Sequence, residues 1–222
     1  MSIILNYPCQ DTNDYRQIVV TSRVSIIPNI LDPKYSSHII TDRLTSSAGD
    51  GGLFNGEIAM SVINEILAHN EAYADKFVKG ALPIPPAKKL AVVICMDARL
   101  ETGALLALVE GDAHVIRNAG GVVTDDVVRS LTISQRLLGT REIMLIHHTD
   151  CGMLTFTDDE LKQQILDDTG IKPPFAMESF TDLEDDVRQS VARIKASPYI
   201  PHKDEVRGFV YDVASGHLRE VS

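Results

Sequence analysis

Residues 90–100 read LAVVICMDARL, and the fold turns on how that stretch is taken. Six apolar residues in a row, Leu90 to Cys95 with valines and an isoleucine at the centre, predict a strand buried on both faces. Polarity then changes abruptly. Continued in extended form, the chain would put Cys95, Asp97 and Arg99 on one side and Met96 and Ala98 on the other. A thiol, a carboxylate and a guanidinium therefore share one side of a strand end. In open parallel sheets, ligands bind outside the carboxyl ends of the strands.

A second stretch has the same form. EIMLIH, Glu142 to His147, is a short apolar run that leads straight into His148-Thr149-Asp150-Cys151-Gly152. If the two strands are neighbours in one parallel sheet, Cys95, His148 and Cys151 converge although about fifty residues separate them. His and Cys at i and i+3 can hold one ion from a single turn, and Cys95 from the adjacent strand end completes a Cys2His set. Two thiolates and an imidazole suit zinc better than any hard cation. Three protein ligands leave one tetrahedral position for water, which is the arrangement of catalytic zinc. Asp97 would accept a hydrogen bond from that water and favour hydroxide, with Arg99 holding the carboxylate ionised. Alternatively Asp97 swings onto the metal as a fourth ligand and shuts the site, with Arg99 deciding which state persists.

Around these two strands the predicted elements alternate. A short helix follows Arg99 to about Val109, and Ala113 to Arg117 is a strand. Asn118-Ala119-Gly120-Gly121 is a turn that needs positive φ. Thr124 to Leu138 is an amphipathic helix closed by Gly139. Thr157-Asp158-Asp159-Glu160 and Thr181-Asp182-Leu183-Glu184 match the capping-box pattern and open helices ending near Gly170 and Ser197. Arg207 to Val213 and His217 to Val221, joined by Ala214-Ser215-Gly216, read as a hairpin or a strand with a short return. The fold class is α/β, with a mostly parallel central sheet flanked by helices and an antiparallel edge strand at the C-terminus. Residues 57–222 are read as the zinc-binding catalytic domain, opening on a helix from Glu57 to about Lys79 that Gly80 stops. Residues 1–56 hold scattered β-prone runs (Ile18-Val19-Val20, Val24 to Ile27) broken by prolines. They end in a Ser/Gly-rich tract and are read as an extended arm that packs on another surface.

Composition excludes several classes. A formal net charge of −10 opposes nucleic acid and anionic lipid, both of which need a basic surface. No apolar run is long enough to span a membrane. The N-terminus has no basic segment ahead of an apolar one, so a cytoplasmic location is expected. Three cysteines in 222 residues are not a disulfide framework. Of these, Cys9 in the arm is read as an incidental thiol. His147 alternates away from His148 and is read as a hydrogen-bonded core group. His38, His69, His114, His202 and His217 lack ligand spacing and are read as surface residues. Asp150 is read as shaping its turn, and Asp158-Asp159-Glu160 as a cap.

The two motifs Cys95-x-Asp97-x-Arg99 and His148-x-x-Cys151-Gly152, with Arg117-Asn118-Ala119-Gly120 between them, resemble the β-class carbonic anhydrases from about Glu57 onward. The likeness is to the short-form branch, which also contains carbonyl sulfide hydrolases. The resemblance implies Cys95, His148 and Cys151 as zinc ligands, Asp97 and Arg99 as the catalytic dyad, and a homodimer or homotetramer. It implies hydroxide attack on carbon dioxide or carbonyl sulfide. There are departures: Leu82 to Ala87 offers no glutamine amide ahead of the first strand, His147 stands where many relatives have glycine, and no Trp is present. A less polar pocket would suit a sulfur-containing substrate, which leaves the two substrates open. The rival reading is a non-catalytic protein in which zinc, or a Cys95–Cys151 disulfide, ties strand ends or senses redox state. Such a site has no use for Asp97 and Arg99.

Overall fold

The structure is a computed structural model and describes residues 2–8, 15–21 and 61–221. The chain divides into two compact units, Met1–Val78 and Lys79–Ser222. In the first, β1 (Ser2–Pro8) and β2 (Tyr15–Thr21) form an antiparallel ribbon with Ser2 opposite Thr21. The β-prone run Ile18-Val19-Val20 lies in β2 as expected. Val24 to Ile27, Cys9, His38 and the 56/57 boundary lie outside the described residues.

Helix α1 (Val62–Ala74) also belongs to this unit and is shorter than expected, ending at Ala74 with Asp75 as its cap instead of running to about Lys79. Most stability of a helix this short comes from packing an apolar face, and Val62, Ile63, Ile66, Leu67 and Tyr73 are all exposed. Nothing buried sustains a further turn.

The second unit is a five-stranded sheet in the order β4-β3-β5-β6-β7. Its strands are β3 (Leu90–Cys95), β4 (Ala113–Asn118), β5 (Glu142–His148), β6 (Val206–Tyr211) and β7 (Leu218–Val221). The first four run parallel and β7 pairs antiparallel with β6, as the alternation of elements implies. Helices α2 (Thr102–Leu106), α3 (Asp125–Arg136), α4 (Asp158–Thr169) and α5 (Leu183–Ala196) fill the connections. Ala91 to Ile94 have no exposed surface, as a strand with packing on both faces requires. Ala91, Val93, Ile143 and Leu145 join α3 and α5 in one core cluster. Val92, Ile94 and Ile146 join Leu100, Val122, Met153 and Phe180 in the other.

Caps fall close to where they were expected. Thr157 and Glu160 form a full capping box, and Gly170 closes α4 at φ +76°. For α5 the cap is Asp182 and not Thr181: two overlapping capping patterns start one residue apart, and the Asp182 carboxylate takes the Asp185 N–H.

The topology selects one place for a site. The chain leaves β3 toward β4 and leaves β5 in the opposite direction toward β6, although β3 and β5 are neighbours with Ile94 level with Ile146. Connections that diverge from adjacent parallel strands open a crevice at their carboxyl ends.

Candidate metal centre

That crevice holds the predicted donors. A ring nitrogen of His148 and the Sγ atoms of Cys95 and Cys151 lie within 4.8 Å of one another, all three residues buried. Among the described residues no other group of three or more His, Cys, Asp or Glu could hold a metal ion. Each donor has a local reason for its position. His148 is the last residue of β5, and its Nδ1 is 2.9 Å from the Thr149 carbonyl. That contact fixes the ring and leaves Nε2, which is buried with no hydrogen-bond partner, facing the thiols. Asp150 turns the chain at φ +55° and brings Cys151 back toward β3.

Cys95 reaches the site by a route that the pleat does not predict. Strict alternation would place it with Ala91 and Val93, yet its side chain packs in the cluster of Val92 and Ile94. The strand ends at Cys95, so residues 96–99 are loop and not a continued pleat. Asp97 and Arg99 are brought together by their own contacts. Arg99 Nε and Nη2 donate to the two Asp97 oxygens at 2.9 and 2.7 Å, and the Arg99 backbone N–H donates to Oδ1 at 2.9 Å. Asp97 Oδ2 lies 3.8 Å from His148 Nε2.

Two features of the walls were not read from the sequence. Arg117, on β4, donates from Nε to the Cys95 carbonyl at 3.1 Å and from Nη2 to the Asp97 carbonyl at 2.8 Å. It stands level with Ile94, and only that register reveals its task of clamping the end of β3. Gly121, at φ +71°, presses between the two strands: a Cβ there would lie 2.9 Å from the Cys95 nitrogen and 3.0 Å from the Ile146 carbonyl oxygen. Asp150 does shape its turn, and it also pairs with Arg99, Nη1 to Oδ2 at 2.7 Å.

The histidines divide further than expected. His147 is buried and shares a 2.6 Å hydrogen bond with Asp186 on α5, in keeping with a core role. His114 is a correction to the surface reading, because its Nδ1 is bonded to the buried Ser134 hydroxyl at 2.8 Å. His202 is part-buried and held through its backbone by Gln135, so it too departs from that reading. His69 and His217 are exposed.

Charge at the centre favours a cation. The Cys95 thiol is brought down to about 4, chiefly by the hydrogen bond from Cys151, while Cys151 is pushed up by that same bond and by burial. For His148 burial works downward but is outweighed by the neighbouring Cys95, so the net direction is up. Asp97 is held well below the carboxylate range, first by the Arg99 side chain and then by its backbone N–H. Two soft sulfurs, an imidazole nitrogen with no partner and an ionised carboxylate at their edge are chemically suited to a borderline-soft divalent metal.

Fold and centre together define a class: a parallel α/β protein with a soft three-donor site at the switch between two strand ends. A family model described as carbonic anhydrase matches residues 90–218. Beta-carbonic anhydrase 1 of Mycobacterium tuberculosis is 60% identical over 163 residues, covering 73% of this chain and 99% of that protein. Carbon disulfide hydrolase of Saccharolobus solfataricus is 35% identical, covering 71% of this chain and 88% of that enzyme. The crystal structure of carbonic anhydrase from Streptococcus mutans superposes with a TM-score of 0.70 at 44% identity, covering 74% of this chain and all of that one. The chain belongs to the β-carbonic anhydrase family, and it is an enzyme of that family.

Proposed function

We propose that this chain catalyses the reversible hydration of carbon dioxide, with Cys95, His148 and Cys151 holding a zinc ion and Asp97 and Arg99 serving the reacting water. The convergence of three buried soft donors beside a paired carboxylate carries the reading. When bound, zinc supplies a Lewis acid that lowers the pKa of water and makes it a nucleophile at neutral pH. Everything else falls to the protein. His148 is fixed by the Thr149 carbonyl, and Arg117 fixes the backbone that carries Cys95 and Asp97. Asp97, held ionised by Arg99, accepts a hydrogen bond from the attacking water and so orients its lone pair. Carbon dioxide gains that oxygen to give bicarbonate, and the displaced proton passes to solvent at the mouth, where Met96 and Arg99 are exposed.

The preference for carbon dioxide rests on the 60% identity to a carbonic anhydrase against 35% to a carbon disulfide hydrolase. That second relative keeps hydrolysis of a linear sulfur-containing substrate, carbonyl sulfide or carbon disulfide, as the alternative. Parallel assays of the zinc protein decide: proton release from carbon dioxide, and sulfide release from carbonyl sulfide and carbon disulfide. Fast sulfide release with no carbon dioxide hydration would replace the first reading by the second. The exposed apolar residues of α1 support assembly into a homodimer or homotetramer, which light scattering would test. Membership of an enzyme family displaces the non-catalytic reading.

A further inference from the structure

Arg99 makes more contacts than a two-residue dyad requires. Nε and Nη2 meet Asp97, and the rest of the guanidinium meets Asp150: Nη1 donates to its carboxylate at 2.7 Å and Nη2 to its backbone carbonyl at 3.0 Å. Two residues thus fix the plane of a side chain that is 47% exposed. Asp150 stands between His148 and Cys151, and its left-handed backbone sends both side chain and carbonyl to the same neighbour. Arg99 is therefore a strap from the end of β3 to the loop that carries the other two donors.

We infer that Asp150 is a positioning residue, which acts through Arg99 to hold the Asp97 carboxylate paired and in one orientation beside the three donors. The inference rests on the reading of Asp97 given under Proposed function. Two effects of Asp150 oppose each other. A second carboxylate on Arg99 repels Asp97 and draws on the same positive charge, but Asp150 is 78% exposed and water screens that repulsion. Ordering of a long, rotatable guanidinium is not screened, and a planar fork docked on one edge presents its other edge to Asp97 in a single pose. Ordering wins. Without Asp150, Arg99 meets Asp97 in several poses, and the carboxylate loses its fixed aim.

The test uses the zinc-loaded full chain with Asp150→Asn and Asp150→Gly, both of which tolerate positive φ. Two quantities are read: ¹⁵N relaxation of the Arg99 Nε–H, and kcat and KM for carbon dioxide, each also in an Arg99→Lys background. The expected result is lower order at Arg99 Nε–H in both variants and a five- to tenfold fall in kcat. KM should stay within twofold, zinc stoichiometry unchanged, and no further loss should appear when either change is added to Arg99→Lys. Wild-type order at Arg99 in both variants, or a kcat loss that adds in full to that of Arg99→Lys, overturns the inference. If the wild-type protein hydrates no carbon dioxide, the functional reading fails while the Nε–H measurement still decides the role of Asp150.

Discussion

Gly121→Ala is the most informative single change in the chain, because its cost separates into two parts that a second variant can isolate. A methyl group there meets the Cys95 nitrogen at 2.9 Å, with the Ile94 carbonyl carbon and the Ile146 carbonyl oxygen each at 3.0 Å. All three are backbone atoms in two adjacent strands, so no side chain can turn aside. The residue also sits at φ +71°, which costs a non-glycine residue about 1–2 kcal/mol. Forcing β3 and β5 apart adds about 1–3 kcal/mol on the scale of overpacked cores. Gly139 has nearly the same backbone, φ +73°, and nothing within 4 Å of its would-be Cβ. Gly139→Ala should therefore cost only the conformational part. Urea titration of the zinc-saturated proteins should place Gly121→Ala about 1–3 kcal/mol below Gly139→Ala. Competition with a chromophoric chelator should show a zinc affinity lowered at least tenfold for Gly121→Ala alone, since the wedge separates Cys95 from His148. Equal losses for the two alanines, or full zinc affinity in Gly121→Ala, would refute the idea that Gly121 sets the spacing of the donors.

Four further outcomes follow from the structure. Asp97→Asn should keep one zinc per chain yet lower kcat about 100-fold, whereas Cys95→Ser should lose the metal; elemental analysis beside stopped-flow hydration reads both, and an unaffected rate in Asp97→Asn rejects its role. Arg117→Met, which removes the clamp on the Cys95 and Asp97 carbonyls, should weaken zinc binding about tenfold by chelator competition with little change in the far-ultraviolet spectrum. Asp158 accepts from the Met177 and Ser179 N–H groups and the Ser179 hydroxyl at 2.7–2.9 Å, and these bonds outweigh burial and hold its carboxyl below the ordinary range. A lowered folded pKa adds stability above the unfolded value near 4 that disappears as pH falls below it. Asp158→Ala should thus cost about 2 kcal/mol at pH 7, and the gap from wild type should close in denaturation curves taken at progressively lower pH.

What the sequence could show was set by the range of each interaction. LAVVIC and EIMLIH are buried on both faces, so their runs of apolar residues announce central parallel strands, and the topology then has few ways to place their ends. Thr157 and Glu160 are three residues apart, and their reciprocal bonds follow from local chemistry. The contacts that escaped prediction join residues far apart in the chain. Asp158 ties down a segment about twenty residues away, His114 meets Ser134, and Arg99 meets Asp150 across fifty-one positions. No periodicity encodes such pairs. Helix α1 is shorter than its spacing suggests for the opposite reason, since the spacing is helical although its apolar residues are exposed.

Cys95 comes to lie beside Asp97 by a route other than the pleat. Alternation along an unbroken strand would place Cys95, Asp97 and Arg99 together, but the pleat stops at Cys95. What gathers them instead is a set of hydrogen bonds that tie the loop to β4 and to itself. Arg117 pulls two successive odd-numbered carbonyls toward β4, the Asn118 carbonyl takes the Met96 N–H at 2.8 Å, and Arg99 folds back on Asp97. A loop held at so many backbone atoms keeps Asp97 in one place, which the role proposed for its carboxylate requires, since its aim must be fixed before substrate arrives. The Arg117-Asn118 pair and the Asp97-Arg99 pair are thus parts of one device: the first fixes the main chain beneath Asp97, and the second fixes its side chain. Substitution of either arginine should therefore reach the same carboxylate, through its backbone in one case and its oxygens in the other.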